Sequence, residues 1–448
     1  MAMNNLPDAG PEREGYLFSR RSAWFAFAMT MALLMVDYID RQVIVSLFPY
    51  LRNEWHLSDK QLGALVSVVS ITVALGAIPV ALFADRASRV KSIVAMATVW
   101  SLATISCMFT RSYGALFAAR SLVGLGEAGY GSVGAALIAS HFPSRMRGAL
   151  MAAFFAAASV GSVLGVMLGG VIAHEFGWKA AFGVVGFPGL VLALLYFFVR
   201  DYKTVELTPR LDRATGSTGN VLRAIGGALL RSRTMLWVCL GAAAQLVVVS
   251  ALWAWLPSYL NRTQGLAPDV AAVRAALIVL CGAAGSVVWG LVVDRAGASR
   301  PRKKLVVLSV LCLVSMLVLA AAFALGHGHP QQFALIAAGG FLATCTVGPV
   351  SAIVIDVIHP GIRATGASVL ALFQNLFGLA AGPFIAGAIS DVWGLEQALS
   401  VTPLFSVLAA IALLVAARSY EGDLQRMREP AATEEAATPA DVPREALA

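Results

Sequence analysis

Long apolar runs separated by short polar stretches dominate the chain. Runs long enough to cross a hydrocarbon core as a helix, about 20 residues each, fall at 22–48, 60–84, 91–110, 115–140, 147–173, 179–200, 233–260, 270–294, 303–325, 332–357, 363–390 and 395–417. The pattern predicts an all-α membrane protein of twelve transmembrane helices. The widest polar gap, 201–232, contains Pro209, Gly216, Ser217, Thr218 and Gly219, and there are seven basic residues from Arg200 to Arg233 with both ends counted. It reads as a cytoplasmic linker between a six-helix bundle at 22–200 and another at 233–418. Residues 1–21 form a polar leading segment. The tail 419–448 is rich in Ala, Pro and Glu and is expected to be disordered.

The two halves echo each other. Asp85-Arg86 after helix 2 returns as Asp294-Arg295 after helix 8, shifted by 209 residues. The small-residue ladder Gly161, Gly165, Gly169, Gly170 in helix 5 returns as Gly378, Gly382, Gly387 in helix 11, shifted by 217 from Gly165 to Gly382. Two unrelated features displaced by nearly the same distance argue for internal duplication, hence two pseudo-symmetric bundles.

Composition supports a lipid solvent. The chain is 58% hydrophobic and 13% charged, with mean hydropathy +0.77, whereas soluble domains carry about 25% charge. The net charge of +8 does not point to nucleic acid, because the basic residues sit in short loops beside apolar runs. There they act as topology signals and contacts for anionic membrane lipids. With the N-terminus inside, 25 Lys and Arg fall on the cytoplasmic side and 6 on the other, so both termini are placed in the cytoplasm. No small-residue cleavage pattern follows the first apolar run, so no cleavable signal peptide is read. Cys107, Cys239, Cys281, Cys312 and Cys345 lie inside apolar runs without metal-ligand spacing, and are expected to be buried thiols. The histidines are scattered; His327 and His329 form a loop pair but no zinc site. No phosphate-binding loop suggests an ATP-driven pump, and no nucleophile sits beside a base as an enzyme requires. The expectation is therefore a non-enzyme without metal or cofactor.

Motifs carry a family resemblance. The stretch Ala81-Leu82-Phe83-Ala84-Asp85-Arg86-Ala87-Ser88-Arg89-Val90-Lys91 resembles the major facilitator loop between helices 2 and 3, with Ala81 and Ser88 at its two usual glycines. Gly290 to Gly297 is a closer copy between helices 8 and 9, and Arg120 with Gly124 resembles the helix 4 motif. The helix 5 antiporter motif is partly kept, with Val166 at its proline position. Within that superfamily, Asp37-Tyr38-Ile39-Asp40-Arg41, the stretch from Arg120 to Tyr130, Val160 to Gly165 and Leu57 to Gly63 resemble the Spinster subgroup. The resemblance implies the major facilitator fold, monomeric, and a secondary carrier in a bacterial-type inner membrane. Spinster relatives include proton-linked lipid or lysolipid carriers. The organic-anion symporters share the Gly-Glu-Ala element and an Asp-Arg in helix 1, so a sugar-acid or aromatic-acid proton symporter is the competing reading. An uncoupled channel is the competitor from another class.

Charges inside helices locate the chemistry. One at the centre of a spanning helix costs roughly 2.5–3.5 kcal/mol, yet the first half holds Asp37, Asp40, Arg41, Arg120 and Glu127. At about 1.5 Å per residue, Asp40 and Arg120 fall at similar depth, as do Asp37 and Glu127. Asp37 and Arg41 are four apart and share a helix face. A carboxylate beside an arginine keeps its charge, and one parted from it in a dry site takes up a proton. Asp40 is therefore expected to carry the proton, with Arg120 as its conformation-dependent partner. Glu127 and Asp37 join the coupling set, with the proton gradient as driving force. Arg41 is expected to hold Asp37 or bind an anionic group. Further substrate contacts are expected from Glu127, Gln245, Trp253, Gln374 and Asn375. Asp85, Arg86, Arg89, Asp294 and Arg295 are expected to latch a cytoplasmic gate. Charges in one half and weakly polar groups in the other suit a small amphipathic or anionic organic substrate. Gly348-Pro349 and Gly382-Pro383 are candidate kinks.

Overall fold

Twelve helices are long and apolar enough to cross a bilayer in this computed structural model, which describes residues 16–86, 88–201, 232–324, 331–358 and 363–428. They are α1 (Arg20–Trp55), α2 (Asp59–Ala77, helical on to Arg86), α3 (Arg89–Cys107), α4 (Tyr113–His141), α5 (Arg145–Phe176) and α6 (Trp178–Phe198). After the linker come α7 (Arg233–Gln264), α8 (Pro268–Ser299), α9 (Arg302–Ala324), α10 (Gln332–Asp356), α11 (Gly366–Trp393) and α12 (Leu395–Arg426). Each set of six forms a bundle. The face carrying Tyr16 and the end of α12 is here the termini face; the opposite one is the distal face.

Local chemistry explains where the helices begin and turn. Ser19, Ser88, Ser112 and Ser232 each precede a helix, and each hydroxyl accepts the backbone N–H three residues on, at 3.1–3.4 Å. These are N-caps that satisfy donors the helix cannot. The α5–α6 and α11–α12 turns are single glycines, Gly177 (φ 82°) and Gly394 (φ 87°). Only glycine adopts this backbone without strain, and the two positions are separated by 217 residues, the displacement already seen in the glycine ladders.

Large apolar side chains such as Phe187, Phe197, Val287, Leu317 and Leu408 remain exposed, as the lipid-facing surface of a spanning bundle requires. Inside each bundle, small residues bring backbones together. A Cβ on Gly161, Gly165 or Gly169 would lie 2.4, 2.6 or 2.7 Å from the carbonyl oxygens of Met35, Ile39 or Val43, so α5 lies directly on α1. This seating holds the α1 segment that carries the charges.

Four helices are interrupted, α12 by a 3-10 turn at Thr402–Leu404. α4 breaks at Ala128–Gly129, one residue beyond Glu127, and Gly129 has φ 82°. α10 passes through a 3-10 turn at Thr344–Thr346 before Pro349, at the expected Gly348-Pro349 kink. At Gly382-Pro383 the helix runs unbroken; the irregular turn of α11 is instead a π-helical stretch at Gln374–Leu379. The tail also departs from expectation. Residues 419–428 continue α12 as helix, with Tyr420 and Asp423 buried. Asp423 accepts from the Ser232 hydroxyl (2.9 Å) and the Thr234 N–H (3.1 Å), so a carboxylate from α12 caps α7. Most of the linker and residues 429–448 lie outside the described residues.

Replacing Gly165 by Ala should destabilise the purified protein by about 1–3 kcal/mol, the cost of overpacking a close contact. Gly148→Ala, where a Cβ meets open space, should not. Thermal unfolding of the two variants in detergent checks this.

Candidate functional site

The charged residues of the first bundle converge from three helices. α1 supplies Asp37, Asp40 and Arg41, α4 supplies Arg120 and Glu127, and α3 adds Thr104. Asp37, Asp40, Arg120 and Glu127 are all buried, with Arg120 at 0% exposure. The Arg120 guanidinium donates through Nη1 to Asp40 Oδ1 (3.2 Å) and to the Asp40 carbonyl (3.4 Å). The Thr104 hydroxyl donates to the other carboxylate oxygen of Asp40. Arg41 lies between two acids, its Nε 3.3 Å from Asp37 Oδ1 and 3.0 Å from Glu127 Oε2. Its guanidinium carbon sits 5.3 Å from the Tyr38 ring centroid, a cation–π contact.

Two ion sets are thus adjacent along α1. Asp40 with Arg120 is balanced, whereas Asp37 and Glu127 share Arg41. Three carboxyls face two guanidinium groups, so the fully ionised cluster carries one uncompensated negative charge in a dry interior. Buried charge without a partner is costly, and one bound proton removes the excess.

The remaining expected substrate contacts divide. Gln245 is fully buried, and its amide N–H groups reach Ser315 Oγ (3.2 Å) and the Ala343 carbonyl (3.0 Å). It ties α7 to α9 and α10 in this conformation. Trp253 is half-buried on α7, facing Gly282 of α8. Gln374 and Asn375 are half-buried at the start of the π-helical turn, where Asn375 donates to the Ala371 carbonyl (2.9 Å).

Of the expected gate residues, Asp294 makes its ion-pair contact inside its own bundle. Asp294 is exposed, 3.8 Å from Lys304, which also reaches Asp356 at 3.5 Å, all within the second bundle. Arg295 is exposed, and Arg89 donates to Ser140 (3.3 Å) within the first bundle. The side chains of Asp85 and Arg86 lie outside the described residues.

A seal exists instead at the distal face. Asp59, the buried first residue of α2, accepts Arg262 of α7 on both oxygens (2.9 and 2.8 Å), together with Arg52 (3.1 Å) and Ser390 of α11 (2.5 Å). Asp391 of α11 accepts the backbone N–H groups of Asp59 (2.7 Å) and Lys60 (2.9 Å). A carboxylate of one bundle therefore caps a helix of the other. Below this seal Gly63 lies against the Pro383 carbonyl, Ser67 donates to the Ala380 carbonyl (2.5 Å), and Phe48 packs on Trp255 (5.1 Å between ring centroids). Sequence reading missed this seal and Thr104. Asp59 follows Ser58 and resembles an ordinary helix-start acid, while Arg262 and Asp391 resemble solvated charges at helix ends.

The Major Facilitator Superfamily family model matches residues 30–323 and 265–443. The protein spinster of Drosophila melanogaster is 27% identical over 384 residues, 83% of this chain and 62% of that one, so the match spans less than two thirds of the fly protein. A gallate transporter of Pseudomonas putida is 27% identical over 429 residues, 87% of this chain and 91% of that one. The solved structure of a bacterial homolog to the human lysosomal transporter Spinster, inward-facing and unoccupied, gives a TM-score of 0.80 at 22% identity, covering 91% of this chain and 99% of that one. That likeness establishes a shared fold.

Asp59→Asn and Arg262→Ala should each cost about 3–5 kcal/mol, as removal of one partner of a buried pair does. The double variant should cost about as much as one single, not the sum. A thermal double-mutant cycle measures this.

Proposed function

The chain belongs to the Major Facilitator Superfamily, and on that footing we propose that it is a proton-coupled secondary transporter of a small amphipathic or anionic organic substrate. It works as a monomer by alternating access in a bacterial-type inner membrane. The observation that carries the reading is the buried cluster of three carboxyls and two guanidinium groups, one proton short of balance. Such a cluster is expensive to keep in a membrane unless its charge state changes in use.

Mechanically, the distal seal closes one side of the protein. The excess of Lys and Arg on the termini-face loops supports reading that side as cytoplasmic, so the substrate and the proton exchange with the cytoplasm in this conformation. Breaking the Asp59–Arg262 contact and closing the opposite end would rock the bundles about the interface. That motion would include a shift of α4 against α1 inside the first bundle, which changes the distance from Asp40 to Arg120. While the pair is closed, Asp40 holds its charge against Arg120; once parted, the carboxyl accepts a proton. Arg41, with a side chain 18% exposed between Asp37 and Glu127, is the cation nearest to hand for an anionic substrate group. A substrate anion on Arg41 would release one of the two acids to take up a proton, coupling the two loads. Asp85, Arg86, Asp294 and Arg295 are the candidates for the opposite latch.

The substrate class has two candidates. The likeness to spinster proteins favours a lipid-like or lysolipid-like molecule. The gallate transporter relative, matched over nearly its whole length, favours an aromatic acid.

The test is reconstitution in liposomes holding a pH-sensitive dye, with lysophosphatidylcholine, lysophosphatidylglycerol, gallate and glucuronate as probes. Substrate-dependent proton entry with saturable counterflow is expected, and its loss in a folded Asp40→Asn protein. Substrate movement without protons, unaltered by Asp40→Asn, contradicts the coupling. Ionic current far above carrier rates contradicts the carrier.

A further inference from the structure

A threonine inside a helix ordinarily returns its hydroxyl to the carbonyl four residues back. Thr30 does so to Ala26 (2.7 Å), Thr72 to Val68 (2.9 Å) and Thr402 to Ala398 (2.6 Å). Thr104, fully buried on α3, instead sends its hydroxyl across to the Asp40 carboxylate of α1. It occupies the carboxylate oxygen that Arg120 does not.

The other groups around Asp40 can each serve one charge state or are engaged elsewhere. Arg120 only donates, so it bonds the carboxylate and has nothing to offer an acid O–H. Arg41 also only donates, and it is held by Asp37 and Glu127. The Cys107 thiol, one turn along α3, donates to the Ala103 carbonyl (3.4 Å). A hydroxyl both donates and accepts. A carboxyl that gains a proton in a dry site needs an acceptor for its new O–H, since a buried unsatisfied donor is costly.

We propose that Thr104 is the positioning residue that lets Asp40 change charge state inside the membrane. It donates to the carboxylate in the paired form. When Asp40 is protonated it accepts the acid O–H and turns its own hydrogen to the carbonyl of Trp100, four residues back on α3. The reassignment needs only rotation of one hydroxyl, and neither the Thr104 hydroxyl nor the acid O–H is left without a partner. The inference rests on the reading of Asp40 as the proton carrier.

Infrared titration of the full-length protein in lipid tests it without a substrate. The probe is the protonated-carboxyl C=O absorption that disappears in Asp40→Asn. A bond to a charged acceptor is roughly twice as strong as a neutral one. Removing the hydroxyl in Thr104→Val therefore weakens the ionised form more, and the pH of half-maximal absorption should rise by about one unit. Thr104→Ala, a second variant without the hydroxyl, should rise likewise, and Thr104→Ser should restore the wild-type midpoint. Folded Val and Ala variants that titrate like wild type overturn the role of Thr104 and leave the proton carrier standing. A titrating absorption that Asp40→Asn leaves intact overturns the carrier and, with it, this inference.

Discussion

The hydrocarbon interior sets the terms for every other feature. It offers no water to a charge or a free backbone group, so any charged side chain placed there must bring its partner. Asp40 reaches Arg120 at 3.2 Å and Arg41 lies within 3.3 Å of two acids. In the paired state those distances hold α1 and α4 in register. The glycine ladder of α5 holds α1 from behind by letting backbone touch backbone. The break after Glu127 shifts the course of α4 just where its carboxyl meets Arg41. Close packing within a bundle and a paired polar cluster inside it are two consequences of one solvent.

Between the bundles the rule differs. The contacts described there are at the distal ends, and beside the Gly63–Pro383 approach and the Phe48–Trp255 ring contact they are reversible in kind: ion pairs, capped helix ends, a serine on a carbonyl. Asp391 against the start of α2 and Asp59 against Arg262 can each be replaced by water when the ends part. The π-helical turn of α11 belongs to the same region. It accepts Ser250 of its own bundle at the Gly378 carbonyl (3.1 Å), while Ser67 of the other bundle donates to Ala380 just beyond it. π-turns of this kind often mark functional positions in helices.

Much of this was legible in the chain because the signals are local. Helix count follows from run length, and duplication from the repeated Asp-Arg and glycine spacings. The Asp40–Arg120 pairing follows from depth along two helices. The seal was not legible, because Asp59 lies 203 residues from Arg262 and 332 from Asp391, and no local pattern links residues that far apart. Thr104 was silent because threonine in an apolar helix looks like packing. Gln245 shows the opposite case: an amide in an apolar helix suggests a ligand, and its N–H groups hold three helices together. The extension of α12 to Arg428 was hidden by a polar composition that only the burial of Tyr420 and Asp423 explains. The gate aspartates rest on resemblance, and the described conformation does not bring Asp294 to the other bundle.

The central claim is that the charge state of the buried cluster and the separation of the distal ends are one equilibrium. Spin labels on Asn53 and Gln397, both exposed on the distal face of opposite bundles, report that separation by pulsed dipolar spectroscopy in lipid nanodiscs. The account predicts a closed and an open distance whose proportions change with pH, and a fixed proportion at every pH in Asp40→Asn. Proportions that ignore pH in the wild type, or that follow it equally in Asp40→Asn, would contradict it.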